Sequence, residues 1–193
     1  MEKMVLRIFQ REVERQCKFA LMAAKDLNSA LQAGDMDRIW YSVQAFLVAA
    51  GNVSKLCWPS LPRVLKLKWH VLKKRRLEWR KSLKERGTEL RKSLSVHRRS
   101  PLTPRKFRNH FEHFDERLQK WATSSERRNF ADSNVGPPNM IVGPDPGDYL
   151  RNFNATNFAV TFRGEVFELE PVIDAIQELW QKAKIEADKP HWE

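Results

Sequence analysis

The fold is decided by MEKMVLRIFQREVERQCKFALMAAKDLNSALQAGDMDRIWYSVQAFLVAAGNVSKLCW, residues 1–58. Apolar residues recur in this stretch every three or four positions, which is the spacing of the buried face of an α-helix. Gly34 ends the first helix, Asp35 caps the second, and Pro59 stops it. Because only two residues separate the two helices, we predict that they pack antiparallel as a hairpin. The predicted buried stripe of the first helix is Val5, Ile8, Phe9, Val13, Cys17, Ala20, Leu21, Ala24, Leu27 and Leu31.

The following segments add two further helical stretches. Residues 63–98 are strongly basic and are predicted to be a helical insertion that Gly87 divides or kinks. Residues 103–122 are predicted to be one helix, with Thr103 as its N-cap and Pro104 in its first turn. The core seam of that helix is predicted to be Phe107, Phe111, Phe114, Leu118 and Trp121.

The last third of the chain is predicted to contain the only β-structure. Residues 123–170 are read as a long Gly/Pro loop, with a short strand at 140–142, followed by a β-hairpin that turns at Arg163-Gly164. Residues 171–187 are predicted to form the C-terminal helix. The fold class is therefore mainly α: one domain of 193 residues, a four- or five-helix bundle with a basic helical insertion and a small late β-hairpin.

The positive charge is concentrated in one region. The chain carries a net charge of +11, yet the residues from Arg63 to Arg108 contain 18 Lys and Arg against 3 Glu, a local charge of +15. Such a region attracts polyanions, and the acids that would make it an ordinary salt-bridged helix face are missing. The predicted nucleic-acid contacts are Lys73, Lys74, Arg75, Arg76, Arg80, Lys81, Arg98, Arg99 and Arg105.

Two tryptophans lie among these basic residues. Trp69 and Trp79 either stack on nucleic-acid bases or dock the basic segment on the bundle, and burial favours docking. The two cysteines, Cys17 and Cys57, lie in apolar stripes and are expected to be core residues of a reduced, cytoplasmic protein. No apolar run is long enough to span a membrane, and the charged N-terminus is unlike a secretory signal, so stable membrane insertion is not expected.

The polar side of the 103–122 helix carries groups suited to RNA cleavage. Its sequence RNHFEH, residues 108–113, offers His113 as acid or base, Arg108 for phosphate charge, and Asn109 to hold the histidine or a phosphate oxygen. Glu112 and His110 are candidate helpers, with His110 expected to be a packed boundary residue. A solvent-facing polar surface is the alternative interpretation. On one helix Arg108 and His113 lie about 140° apart, which favours a two-fold partner that supplies a second set.

This segment resembles the R-(N/D/H)-x3-H motif of the HEPN (higher eukaryotes and prokaryotes nucleotide-binding) superfamily. The order of the helices, with a hairpin first and the motif on a later helix, is also similar. The resemblance implies a metal-independent endoribonuclease that acts as a homodimer with a composite site. Members are often toxins or phage-defence effectors, so it also implies an antitoxin or other regulatory protein as a partner. The resemblance covers neither the basic insertion nor the Gly/Pro loop.

No cofactor or metal is predicted. The histidines and acids near residue 113 are dense, but the chain has no H-E-x-x-H segment, no Cys pair and no phosphate-binding glycine loop. Three hypotheses follow. The first is an RNA hydrolase of HEPN type, and the second is a non-catalytic HEPN-like module that binds nucleic acid or protein. The third is a structural subunit whose polar face at 108–120 makes ion pairs between subunits.

Overall fold

The structure is a computed structural model that describes residues 1–60, 69–104, 110, 113–124, 128–137 and 140–190. For residues 69–76 and 146 only the backbone is described. Within these ranges the chain forms five helices and a four-stranded sheet that lies late in the sequence. The helices are α1 (Lys3–Ala33), α2 (Met36–Cys57), α3 (Trp69–Ser93), α4 (Phe114–Ala122) and α5 (Glu170–Asp188).

The helical hairpin is confirmed, and local chemistry sets its turn. Gly34 adopts a left-handed φ of 67°, and its N–H donates to the carbonyl groups that end α1. The Asp35 carboxylate accepts from the backbone N–H of Arg38 at 3.0 Å and caps α2. One member of the predicted stripe is wrong, because the Ile8 side chain is exposed. The buried positions on that turn are taken by Arg7 and Gln10 instead.

The C-terminal helix is confirmed and packs on α1. Its apolar stripe, Val172, Ile176, Leu179 and Ala183, is buried. Polar groups join the two helices at their edges. The indole N–H of Trp180 donates to Glu14 at 3.0 Å, and the Arg11 guanidinium donates to the Ala187 carbonyl at 3.4 Å.

The predicted hairpin is confirmed as part of a larger mixed sheet. Its strands are β3 (Ala159–Phe162) and β4 (Glu165–Glu168), antiparallel, with Phe162 opposite Glu165. Arg163 and Gly164 form a two-residue turn with φ values of 47° and 81°, the combination of a type I′ hairpin. Two strands were missed: β1 (Asn134–Val135) and β2 (Arg151–Asn154), which pair parallel to each other within the predicted loop. The strand predicted at 140–142 is wrong, since these residues form exposed bends.

Within the described part of the basic segment, α3 runs without a break through Gly87, so the predicted division there is wrong. Gly87 serves a different purpose: a Cβ atom there would lie 2.5 Å from Cδ of Pro59 and 2.8 Å from the Cys57 carbonyl oxygen. The absence of a side chain lets α3 approach the C-terminal end of α2 directly. Beyond this contact, Leu90 and Leu94 enter the hydrophobic core.

The predicted helix over 103–122 is interrupted. Thr103 and Pro104 are not helical, and the Thr103 hydroxyl donates back to the Arg98 carbonyl at 3.2 Å. α4 begins after His113, whose φ of −118° and ψ of 41° leave helical geometry. Of the predicted seam, Trp121 is buried and Phe114 partly buried, but Leu118 is exposed. Phe107 and Phe111 lie outside the described residues.

We expect Gly87→Ala to lower the free energy of unfolding by about 1–3 kcal/mol, because the new methyl group overlaps a proline ring and a carbonyl oxygen. The matched control is Ser82→Ala, an exposed position of the same helix, where alanine should be neutral or stabilising. Urea denaturation of both variants measures the difference. A Gly87→Ala protein as stable as the wild type would contradict the close approach.

The buried thiols should make the fold sensitive to alkali. Burial raises the pKa of the Cys17 thiol, to which the nearby Cys57 and Glu14 add. Burial also raises the pKa of Cys57 to about 12, although Arg91 opposes this. Both thiols therefore stay protonated in the folded protein at a pH where they ionise in the unfolded chain. Their contribution to stability is complete below about pH 9 and is lost as the pH rises toward 12.

The expected loss is about 1.4 kcal/mol per pH unit for each thiol. Urea denaturation under reducing conditions, at about pH 8 and about pH 10, should show a steeper decline for the wild type than for the Cys17→Ala/Cys57→Ala variant. Identical declines would show that the thiols ionise freely in the folded state.

Candidate nucleic-acid interface

Two turns of α3 have no buried face. All residues from 77 to 82 are exposed, including Leu77 at 57% and Trp79 at 49%. The prediction that Trp79 docks on the bundle is therefore wrong, whereas the Trp69 side chain lies outside the described part. The described ion pair on this surface is weak, with 3.9 Å between Lys81 and Glu85 and both side chains exposed. The stretch therefore presents its positive charge to solvent.

An open cleft lies where α3 passes the end of α2. We call it the basic cleft. It has a volume of about 670 Å³, within the range of small-molecule sites. It is lined by Trp58, Pro59, Ser60, Arg80, Lys81, Leu83, Lys84 and Arg91.

Helical periodicity explains why these cations converge. Arg80, Lys84 and Arg91 are spaced four and seven residues apart, so they share one face of α3. Gly87 lies on that same face and is the point where α3 meets Pro59. The close contact that fixes the helix therefore also aims its basic face at the end of α2.

Arg91 is the cation of the basic cleft that the surrounding residues hold by several contacts. Its guanidinium donates to the carbonyl of Cys57 and, at 3.1 Å, to the Thr88 hydroxyl. Its charged centre also lies 5.6 Å from the centre of the Trp58 ring. Burial lowers the pKa of Arg91, and the neighbouring Arg98 lowers it further, whereas Cys57 opposes both effects. Arg91 thus caps the end of α2 and holds the tryptophan beside the cations.

The lining of the basic cleft suits a nucleotide strand. It combines four cations with one aromatic ring, and none of its described lining residues is acidic. Lysine and arginine neutralise phosphates, and an aromatic face stacks on bases of any sequence. Trp58, Lys84 and Arg91 were not among the predicted contacts. The missed signal was a tryptophan directly after the last turn of α2, at the residue where that helix gives way to proline.

Two further predicted contacts lie beyond the end of α3. Arg98 and Arg99 are exposed in the turn that follows the helix. Arg99 lines a smaller opening of about 260 Å³, which Glu178 also lines. A carboxylate there makes this opening less suited to a polyanion than the basic cleft.

Several predicted site residues lie outside the described part of the chain. These are Arg105, Arg108, Asn109 and Glu112, together with the side chains of Lys73, Lys74, Arg75 and Arg76. The juxtaposition of Arg108 with His113 therefore stays a prediction.

His110 is held against the hairpin. It is buried, and its ring stacks on Phe162 with centroids 4.6 Å apart and planes at 17°. Its Nε2 lies 3.4 Å from a carboxylate oxygen of Glu165, at the start of β4. The expectation that His110 is a packed boundary residue agrees with this burial.

His113 has the more open position. It stands at the N-cap of α4, with its side chain 39% exposed and its Nδ1 3.4 Å from the Glu116 carboxylate one turn on. A histidine with one nitrogen near a carboxylate and an edge open to solvent can exchange a proton with a ligand.

The start of α4 is fixed by a clamped arginine. Arg151 donates two hydrogen bonds to Asp132, at 2.9 and 2.6 Å. It also lies over the rings of Phe114, at 5.0 Å, and Trp40, at 5.4 Å. Burial raises the pKa of Asp132, but the hydrogen bonds and charge of Arg151 outweigh it, so the net shift is downward. This cluster joins α2, α4 and β2 beside the histidines.

Among the described residues, no group of three or more His, Cys, Asp or Glu side chains could hold a metal ion. No helix in the described ranges is long and apolar enough to cross a membrane. The sequence matches no protein-family model and no curated protein, and the fold matches no solved structure.

Proposed function

We propose that this protein binds single-stranded RNA in the basic cleft. The observation that carries this proposal is the convergence of Arg80, Lys81, Lys84 and Arg91 beside Trp58, with no acidic residue among the described lining. Arg80 and Lys81 lie on the exposed turns of α3, so this side of the cleft is open to solvent. The phosphates of a strand would follow the cations, while one base stacks on the tryptophan.

Neutralising the cleft should weaken RNA binding and its dependence on salt. For Arg80→Gln/Lys81→Gln/Lys84→Gln we expect affinity for a single-stranded RNA oligonucleotide to fall about tenfold or more. The slope of log K against log salt should also become shallower by about 2, because about 0.7 is lost per phosphate contact on a single strand. Fluorescence anisotropy across a salt series measures both quantities.

The matched control removes the same charge elsewhere. Lys3→Gln/Lys184→Gln/Lys189→Gln changes three exposed lysines, in α1, in α5 and directly after α5, all outside the basic cleft. Equal losses in both triple variants would mean that net charge, and not the cleft, governs binding. A second pair of variants tests stacking: Trp58→Leu should reduce binding to single strands, whereas Trp79→Leu, exposed on α3 but outside the cleft lining, should not.

A second candidate function is metal-independent RNA cleavage of HEPN type, by a homodimer with a composite site. The observation that favours it is the open position of His113 beside Glu116. In this chemistry the 2′-oxygen attacks phosphorus and the bond to the 5′-oxygen breaks. A base takes the 2′-hydroxyl proton and an acid protonates the leaving oxygen, which yields 2′,3′-cyclic phosphate and 5′-hydroxyl ends. The Arg108 and Asn109 roles, and a regulatory partner such as an antitoxin, belong to this proposal.

We expect the wild type to cleave RNA in the presence of EDTA, and His113→Ala to lose that cleavage while keeping the wild-type stability, since His113 is not a core residue. The matched control is His97→Asn, which changes another exposed histidine and keeps a hydrogen-bond acceptor for the Arg99 N–H. A gel assay with end-group analysis gives the result. Unimpaired cleavage by His113→Ala would exclude the histidine as the acid or base.

The two proposals predict different combinations of RNA binding and RNA cleavage. Loss of cleavage with retained binding in His113→Ala supports a cleavage site distinct from the basic cleft. Salt-sensitive binding by a wild type that does not cleave RNA supports only the non-catalytic RNA-binding function.

A further inference from the structure

The outer side of the helical hairpin carries an apolar groove. It runs between α1 and α2 and has a volume of about 640 Å³. Its apolar residues are unusually exposed: Met22 by 55%, Val48 by 49% and Tyr41 by 70%. Apolar exposure concentrated in one groove is typical of a protein–protein contact.

On each helix, one row of residues in or directly beside the groove follows a heptad-like spacing of 4, 3 and 4. This is the repeat by which one helix packs against another along a seam. The α1 stripe consists of Phe19, Met22 and Asp26, which line the groove, and of the exposed Arg15 one turn before them. The α2 stripe is Tyr41, Ala45, Val48 and Asn52, all of which line the groove.

The α1 stripe is complementary to itself when reversed. If a second copy packs antiparallel about an axis midway between Phe19 and Met22, Phe19 of each copy lies opposite Met22 of the other. The same operation brings Arg15 opposite Asp26 of the second copy, so each α1 stripe end meets the opposite charge. Arg15 already contacts Glu12 at 3.0 Å, but that pair is exposed. The guanidinium has further N–H groups that can donate hydrogen bonds to a second carboxylate.

The α2 stripe obeys the same operation. Its midpoint lies between Ala45 and Val48, and reversal places Tyr41 opposite Asn52 of the second copy. The side chains of Gln16 and Asn52 are hydrogen bonded at 3.1 Å, which fixes how α1 and α2 lie side by side. Counting from that bond along both helices brings the two midpoints to nearly the same level. One two-fold axis therefore satisfies both stripes.

We infer that a second copy of this chain docks in the groove. The result is a C2 dimer in which the two helical hairpins pack face to face as an antiparallel four-helix bundle. An isologous interface must be complementary to itself, and the reversed order of charges around an apolar centre meets that requirement. The interface differs from one built on the motif helix. It does not depend on RNA binding or cleavage.

Charge variants test the arrangement. Sedimentation equilibrium of the wild type should show a dimer at micromolar concentration. Arg15→Asp and Asp26→Arg should each weaken the dimer at least about tenfold, because each places like charges together at both ends of the interface. The Arg15→Asp/Asp26→Arg double variant restores opposite charges across the axis and should recover the wild-type dissociation constant.

Replacing an apolar residue with a charged one tests the centre of the groove. Met22→Glu should give a monomer, whereas Val166→Glu, an equally exposed apolar position on β4, should leave the dimer intact. Circular dichroism shows that each variant is folded. The inference is overturned by a wild type that stays monomeric up to about 100 µM. A dissociation constant at that concentration corresponds to a free energy of association of only about 5 kcal/mol. It is also overturned by a dimer that Met22→Glu leaves unchanged, or by a double charge variant that does not recover.

Discussion

The basic cleft depends on the close contact between α3 and the C-terminal end of α2. At Gly87 the two backbones lie so close that a single methyl group would collide with Pro59 and with the Cys57 carbonyl. Because α3 continues without a break through this point, the contact positions the helix on both sides of it. On one side, Leu90 and, directly after the helix, Leu94 enter the core. On the other side, the described cations Arg80, Lys81 and Lys84 are exposed. Arg91 strengthens the junction by donating to the same carbonyl.

Polar groups buried between helices complete the frame. Gln10 of α1 donates to the Ser93 hydroxyl at 3.0 Å, which ties α1 to the last turn of α3. Arg7, also buried, donates to Gln10 at 3.1 Å and lies 3.8 Å from Glu186 of α5. Breaking one member would leave a buried partner unsatisfied, so such a network specifies one arrangement of three helices.

The sequence was most informative where local chemistry determines structure. The Gly34 and Asp35 caps, the period of the Val172–Ala183 stripe and the Arg163-Gly164 turn each depend on neighbours in the chain, and each was predictable. The role of Gly87 was not predictable. Helix propensity marks glycine as a helix breaker, whereas here a glycine is required by the contact with Pro59, which lies 28 positions earlier in the chain. The strand β2 was missed for a similar reason. Its hydrogen bonds go to β1 and β3, and Arg151 in it is held by Asp132.

The two proposed surfaces occupy different parts of the same helical frame. None of the residues in the α1 and α2 stripes lines the basic cleft. A dimer through the groove would thus leave both clefts open, and each would meet RNA independently. A strand long enough to span them would bind the second cleft at a high effective concentration, so affinity would rise with RNA length without any new contact. Avidity of this kind suits a protein whose individual cleft, among its described lining residues, offers four cations and one aromatic ring.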